Sequence, residues 1–156
     1  MFEIRRASHD DAETAFDIRL LAIRHQCLGA YTETQLLAWT AGAAEDGYYK
    51  LMDKHFYLGC LDGVPVATGM LDLESCEIGA IFVHPAYMQQ GIGKRLLIYL
   101  ECLARAFSLE QVRLDATLNA APFYRRYGFA GEACSIYHSP SGLQLACVPM
   151  VKTLLP

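Results

Sequence analysis

Two glycines at the start of an amphipathic segment are the most informative chemical feature of the sequence. Gly91 and Gly93 follow a strand-like stretch, residues 75–83, and open a helical pattern. Glycine lets the backbone approach a ligand closely, and the unpaired amides at a helix start attract anions. Lys94 and Arg95 add positive charge beside these amides. The segment therefore predicts a cradle for a pyrophosphate group.

Two common nucleotide-binding loops do not fit this spacing. A Walker A loop needs glycine at position 88 and Ser or Thr at position 95, where the sequence has Met88 and Arg95. A dinucleotide-binding fingerprint needs a third glycine near Leu96 and a turn close to the first strand, and both are missing. Both kinds of nucleotide-binding protein are therefore set aside.

The junction resembles the acetyl-CoA motif of the GCN5-related N-acetyltransferase (GNAT) superfamily. That motif reads Q/R-x-x-G-x-G/A, and residues 90–93 match its end. A turn of the family's Val-His-Pro type, Val83-His84-Pro85, precedes the match. Met88 stands where the family has Gln or Arg. We expect this departure to weaken the phosphate contact without abolishing it, because backbone amides do most of the binding.

A second block, residues 119–129, is similar to the family pattern N-x-x-A/P-x-x-F-Y-x-x-x-G-F, with a shorter spacing between Asn119 and Phe123. In the family the asparagine hydrogen-bonds the pantetheine arm and the tyrosine protonates the departing thiolate. By residue match these are Asn119 and Tyr124. Helix capping by Asn119 and a core role for Tyr124 stay open. With two motifs at the usual separation, the chain is identified as a member of the superfamily.

The resemblance implies acetyl-CoA as co-substrate, without a metal, and an amine as acceptor. Amides of residues 81–83 would hold the pantetheine as an added strand and polarise the thioester carbonyl. The residues expected to bind coenzyme A are Ile81, Phe82, Val83, Met88, Gln89, Gln90, Gly91, Ile92, Gly93, Lys94, Arg95, Asn119, Pro122 and Tyr124.

Glu77 is the candidate general base, because histone-type relatives carry their glutamate at this offset from the first glycine. On a strand it would share an apolar face with Gly79, Ile81 and Val83, and such a setting raises the pKa of a carboxyl group. A solvated carboxylate at the strand end is an equal alternative, and His84 is a lesser candidate for the base.

The acceptor side is less specified by the sequence. In the family the first two helices and nearby loops line it, which here supply His25, Tyr31, Glu33, Trp39 and Tyr48. We expect Tyr31, Trp39 and Glu77 to contact the acceptor, although packing is an alternative for the two aromatic residues.

The surrounding pattern predicts elements in an order typical of an α/β sheet of mixed direction. Ser8 would cap a first helix, Thr32 and Gln35 form a capping box for a second, and residues 45–54 form a third. The helix over residues 91–108 has an apolar stripe, with Glu101 off it. Strands are predicted at residues 2–7, 55–61, 64–73, 75–83, 112–116, 130–137 and 143–151, with an Asp62-Gly63 hairpin and a turn at residues 139–142; residues 120–127 form a short helix with Pro122 in its first turn and Gly128 as its stop.

Composition restricts the class of protein. The chain has 156 residues, of which 53 % are hydrophobic and 19 % charged, which fits one globular domain over residues 1–156. The resemblance implies that this is an N-acetyltransferase domain. A net charge of −4 indicates neither nucleic acid nor a membrane as partner. The N-terminus does not resemble a signal peptide, so we expect a cytoplasmic protein with reduced, mostly buried cysteines.

These patterns predict a GNAT-like fold with a mixed, mostly antiparallel sheet flanked by helices. The expected reaction transfers an acetyl group to a primary amine of a small molecule or a peptide. The alternative is a catalytically idle module of the same fold that binds coenzyme A or a protein. Whether the chain forms a homodimer is left open.

Overall fold

The central sheet has seven strands in the order β1-β2-β3-β4-β5-β7-β6. The computed structural model describes residues 1–139 and 142–154. All neighbouring strands pair antiparallel except β4 and β5, which are parallel. The strands are β1 Phe2–Arg6, β2 Phe56–Leu61, β3 Val64–Asp72, β4 Glu77–Val83, β5 Gln111–Ala116, β6 Ser135–His138 and β7 Gln144–Thr153.

Helices cover both faces of this sheet, so the predicted mixed α/β fold is confirmed. On β2, Phe56 and Leu58 pack with residues of the first and third helices, whereas the intervening Tyr57 packs against the fourth. The helices are α1 Ala12–Gln26, α2 Glu33–Trp39, α3 Asp46–His55, α4 Ile92–Ala106 and α5 Ala121–Arg126, with 3-10 turns at His9–Asp11 and Pro85–Tyr87.

Local signals placed two boundaries correctly. The Thr32 hydroxyl accepts from Gln35 N at 3.1 Å, and Gln35 Oε1 accepts from Thr32 N at 2.9 Å, which is the predicted capping box. Asp62 and Gly63 both have positive φ, at 50° and 84°, and connect β2 to β3 as the hairpin signal indicated.

Several local predictions were wrong. Ala120, not Asn119, precedes the first turn of α5. The strand predicted at residues 130–137 is shorter and shifted: β6 is Ser135–His138, and Ala130 makes just an isolated bridge to Val151. Glu101 is only 8 % exposed, although the apolar stripe of the helix predicted that it lies outside the core. The predicted turn at residues 139–142 includes residues 140 and 141, which lie outside the described part of the chain.

A β-bulge interrupts the alternation of β4. Met70 pairs with Gly79 and Thr68 pairs with Phe82, so two residues of β4, Ala80 and Ile81, face one residue of β3. Ala80 has φ +49°, and its carbonyl accepts from the Thr68 hydroxyl at 2.7 Å. Because of this extra residue, the side chains that follow the bulge in β4 point to the opposite face from the one that regular alternation would give them.

Strands β4 and β5 separate soon after they meet. Their parallel register contains one pair, Glu77 with Arg113, at the start of β4. Beyond that pair the two strands diverge, and the edge of β4 that faces β5 opens. The divergence leaves room between the two halves of the sheet, and this is where the candidate site forms.

Candidate active site

A cavity of about 690 Å³ lies at the N-terminus of α4. We call it the first cavity. It is bordered by the end of β4, the loop that follows, the first turn of α4 and one side of α5. Its lining residues are His25, Gln26, Ile81, Val83, Tyr87, Met88, Gln89, Gly91, Ile92, Gly93, Lys94, Asn119, Ala120, Phe123, Tyr124, Arg126 and Tyr127.

The glycine turn gives this cavity a floor of backbone amides. Gly91 has φ +78°, and the first helical hydrogen bond runs from Arg95 N to Gly91 O at 3.1 Å. The amides of residues 92–94 precede that bond, so they have no helical acceptor and can bind an anion. A Cβ on Gly93 would lie 3.8 Å from both Phe123 Cζ and Val83 Cγ2, which is ordinary contact.

Four residues expected to bind coenzyme A do not line the first cavity: Phe82, Gln90, Arg95 and Pro122. The Arg95 guanidinium lies 4.4 Å from the ring centroid of Phe2 and stacks on β1. Phe82 faces the opposite side of β4. Lys94 does line the cavity, with its Nζ 5.7 Å from the ring centroid of Tyr127. Positive charge at the cradle therefore comes from Lys94 rather than from Arg95.

Tyr124 is a buried tyrosine whose hydroxyl is not engaged. It is 8 % exposed and packs edge-on against Phe123 and Phe129, at centroid distances of 5.2 and 5.7 Å. Within residues 1–139 and 142–154 its hydroxyl has no hydrogen-bond partner, and the residue lines the first cavity. Burial raises the pKa of Tyr124, so the hydroxyl keeps its proton at neutral pH.

Asn119 also reaches the first cavity, although it does not cap α5. Its side chain and that of Thr117 lie near the Cys27 thiol and partly oppose the rise in the pKa of that thiol. Burial raises the pKa of that thiol to about 11, so Cys27 is a neutral core residue. Asn119 thus lies near the C-terminal end of α1 and lines the first cavity.

A second cavity, of about 340 Å³, lies on the other side of β4. It contains Glu77, Arg19, Asp115 and Tyr137 among apolar walls. The full lining is Arg19, Tyr31, Trp39, Leu51, Phe56, Met70, Glu77, Ile78, Gly79, Ala80, Phe82, Asp115, Thr117, Tyr137, Leu145, Ala146 and Cys147. The three residues predicted to contact an acceptor, Tyr31, Trp39 and Glu77, all line this cavity.

The predicted face of Glu77 was wrong because of the bulge at Ala80. Glu77 and Gly79 line the second cavity, whereas Ile81 and Val83 line the first. Glu77 is half-buried, and burial raises the pKa of its carboxyl group. The cation of Arg113 opposes that rise in pKa, and the anions of Asp115 and Asp72 add to it.

Tyr31 joins the elements around the second cavity. Its hydroxyl donates to Ala146 O at 2.5 Å and accepts from Leu118 N at 3.1 Å. Its ring packs edge-on against Trp39 at 5.8 Å. Because both polar contacts are made within the fold, Tyr31 presents only its ring to the cavity.

His84, the alternative base, has a structural role. Its Nδ1 accepts from Ala86 N at 3.1 Å at the start of the 3-10 turn Pro85–Tyr87, and its ring packs against Tyr87. It lines neither cavity.

Sequence reasoning did not select Arg19, Asp115 and Tyr137, which line the second cavity, or Tyr87 and Tyr127, which line the first. Asp115 alternates with buried Leu114 and Ala116 on β5, so its side chain could have been assigned to the opposite face. Arg19 could have been selected because it is a cation next to the buried stripe of α1.

In the described ranges no group of three or more His, Cys, Asp or Glu side chains is placed to hold a metal ion. Within the same ranges, none of the helices is both long and apolar enough to cross a bilayer.

Comparison with known proteins gives consistent matches. A family model described as acetyltransferase (GNAT) domain matches residues 52–130. The uncharacterized N-acetyltransferase YafP of Escherichia coli strain K12 is 26 % identical over 127 residues, which cover 81 % of this chain and 80 % of that protein.

Solved structures match over nearly the whole chain. A GCN5-related N-acetyltransferase from Rhodopseudomonas palustris superposes with a TM-score of 0.88 at 27 % identity, covering 97 % of this chain and 94 % of the other. The PaiA N-acetyltransferase of Thermoplasma acidophilum, in complex with coenzyme A, has a TM-score of 0.73 at 19 % identity, with 98 % and 99 % of the two chains covered. At that identity the second likeness concerns the fold alone.

Proposed function

This chain belongs to the acetyltransferase (GNAT) family, and from that premise we propose that it transfers the acetyl group of acetyl-CoA to a primary amine. The observation that carries this proposal is the pair of cavities on either side of the bulge in β4. The first cavity offers a cradle of amides, and the second holds a half-buried carboxylate among apolar walls. A donor and an acceptor can therefore approach the same strand from two sides.

In this proposal the pyrophosphate of the donor binds the amides of residues 92–94, with Lys94 beside them. The pantetheine arm runs along the open edge of β4, where pairing with β5 stops after Glu77. Amides at residues 81–83 serve the arm as an added strand, which is a common mode of backbone recognition. Asn119 contacts the arm from the α5 side.

Glu77 and Tyr124 share the proton transfers. An amine attacks only when neutral, and Glu77 accepts the proton that the attacking nitrogen loses. The nitrogen forms a bond to the acetyl carbon, and the bond from that carbon to sulfur breaks. Tyr124 gives its proton to the departing thiolate, and before the next turnover Glu77 releases its proton to water and Tyr124 takes up a proton from water.

The test is an acetyl-CoA consumption assay against a panel of primary amines and peptides, with calorimetry of coenzyme A binding beside it. We expect micromolar to millimolar binding of coenzyme A and turnover of at least one acceptor. Absence of coenzyme A binding would refute the proposal. Binding without turnover of any amine would indicate instead a module that binds coenzyme A and does not catalyse transfer.

A further inference from the structure

Arg19 is a half-buried cation in the wall of the second cavity. It stands on α1 with its guanidinium carbon 5.4 Å from the ring centroid of Phe16. Burial lowers the pKa of Arg19, which means that its surroundings do not fully replace the water that the charge has lost. A guanidinium in that position can bind a further anion.

Six of the other eight arginines already have acceptors, and the remaining two, Arg95 and Arg126, do not line the second cavity. Arg5 pairs with Asp11, Arg24 donates to Thr40, and Arg113 donates to Ser75 O. For Arg19, in contrast, no hydrogen bond or ion pair joins the guanidinium to any residue in ranges 1–139 and 142–154. Its five N–H donors are free to bind a ligand within the cavity.

The same cavity also holds two acidic side chains. Glu77 and Asp115 both line it. Tyr137 lines the same cavity, and burial raises its pKa, a rise that the cation of Arg19 opposes and the anions of Glu77 and Asp115 increase. The Tyr137 hydroxyl has no hydrogen-bond partner in the part of the chain that the structure describes. The cavity therefore offers a cation, a free hydroxyl and two carboxylates.

The volume and the lining of this cavity limit the molecule that fits into it. The volume of about 340 Å³ is at the lower end of the range for small-molecule sites. Trp39, Phe56 and Phe82 supply aromatic surface, and Leu145 supplies aliphatic surface. An acceptor of amino-acid size with an apolar body matches both limits.

We propose that the acceptor is a small aminocarboxylate, an amino acid with an apolar or aromatic side chain. Its carboxylate binds the Arg19 guanidinium and the Tyr137 hydroxyl, and its amine lies at Glu77. This inference rests on the proposed acetyl transfer and names the substrate class of the same site. Guanidinium–carboxylate pairs are often bidentate, which would fix the direction in which the amine points.

The experiment compares acceptors that differ only in the carboxylate. L-Phenylalanine and L-leucine are assayed beside 2-phenylethylamine and isoamylamine, which lack it, for the wild type, Arg19→Gln, Arg19→Lys and Arg24→Gln. Each ratio of kcat/KM, amino acid over decarboxylated amine, is compared between enzymes, so the amine pKa of each acceptor cancels. Arg24 lies on the same helix but outside both cavities and provides the matched control.

We expect the ratio to fall about 10- to 100-fold in Arg19→Gln, since hydrogen bonds to a charged group are lost. Arg19→Lys should retain part of the ratio, and Arg24→Gln should leave it unchanged. Equal ratios in the wild type and Arg19→Gln, or turnover of the decarboxylated amines alone, would overturn the inference while acetyl transfer stands.

A second measurement separates the inference from the proposed function. Calorimetry follows the binding of L-phenylalanine to the protein saturated with coenzyme A, which carries no acetyl group. If L-phenylalanine binds and Arg19→Gln weakens that binding, the aminocarboxylate site is supported even if no amine is turned over. No binding to a protein that does bind coenzyme A refutes it.

Discussion

Glu77 and Tyr124 have the protonation states that their proposed roles require. Burial raises the pKa of both groups, but the consequence differs because the carboxylate of Glu77 has to accept a proton and the hydroxyl of Tyr124 has to donate one. A higher pKa makes the Glu77 carboxylate a better proton acceptor close to neutral pH. A higher pKa keeps the Tyr124 hydroxyl protonated at neutral pH but also makes it a weaker acid, which limits the rate gain that it can supply.

Replacing Glu77 by Gln should lower turnover by about 10²- to 10⁴-fold with little change in coenzyme A affinity. The base acts as the carboxylate, so the wild-type rate rises with pH through the raised pKa of Glu77 and is lost below it. That acidic limb should disappear in the variant, as pH–rate profiles would show. Glu74→Gln, an exposed carboxylate in the turn before β4, is the matched control. A retained limb and rate would assign the proton transfer to another group.

Replacing Tyr124 by Phe should slow turnover by about 10- to 100-fold, because the thiol of coenzyme A, with a pKa of about 8.5, is already a tolerable leaving group. The ring packing against Phe123 and Phe129 stays, and the hydroxyl has no partner among the described residues, so the melting temperature should hardly move. Tyr99→Phe removes a hydroxyl outside both cavities and serves as control. Normal turnover with a large fall in melting temperature would make Tyr124 a core residue only.

At the scale of elements, the signals that could be read from the sequence were local ones. The Thr32–Gln35 capping box and the Asp62-Gly63 hairpin depend on residues a few positions apart, and both were confirmed. The bulge at Ala80 was missed because alanine rarely adopts a positive φ and gives no sign of one. That single extra residue moved Glu77 away from Ile81 and into the second cavity.

Side chains brought together by tertiary packing were not predictable in the same way. Arg19 on α1, Asp115 on β5 and Tyr137 on β6 meet at one cavity although they are far apart along the chain. Neither periodicity nor spacing relates such positions. The glycine cradle was accessible to prediction because its strand, turn and helix are consecutive.

The cradle can be tested with two variants of one glycine. Gly91→Ala and Gly91→Glu both place a Cβ at φ +78°, where a side chain is strained, and a Cβ there meets no atom within 4 Å. Both variants carry the same backbone strain. The difference between their affinities for coenzyme A is therefore due to the longer, anionic side chain of glutamate. We expect coenzyme A affinity at least about 10-fold weaker in Gly91→Glu than in Gly91→Ala, measured by calorimetry. If the two variants fold and bind coenzyme A with equal affinity, the pyrophosphate does not bind at this turn.

At the scale of the whole molecule, one ion pair joins both halves of the divided sheet. Lys152 on β7 lies with its Nζ 2.9 Å from Glu101 Oε2 on α4, and it donates to Tyr127 O at 2.7 Å, just after α5. The pair thus connects the helix that opens with the cradle to the helix that carries Tyr124. Gly128 has φ +94°, and a Cβ there would lie 3.1 Å from Lys152 Cε, so the Lys152 side chain also packs closely over Gly128.

Lys152→Met should therefore destabilise the fold strongly. The Glu101 side chain is only 10 % exposed, and its Oε1 has no partner among the described residues. Removing the ammonium group would leave a buried carboxylate uncompensated, at a cost of about 3 kcal/mol in the free energy of unfolding. The double variant Glu101→Gln/Lys152→Met removes the charge as well and should recover most of this loss, except about 1 kcal/mol for the hydrogen bond to Tyr127 O. Urea denaturation of the wild type, both single variants and the double variant gives the coupling directly. A loss below about 1 kcal/mol in Lys152→Met would indicate that water reaches Glu101, and that the pair holds the two halves together no more firmly than a surface ion pair does.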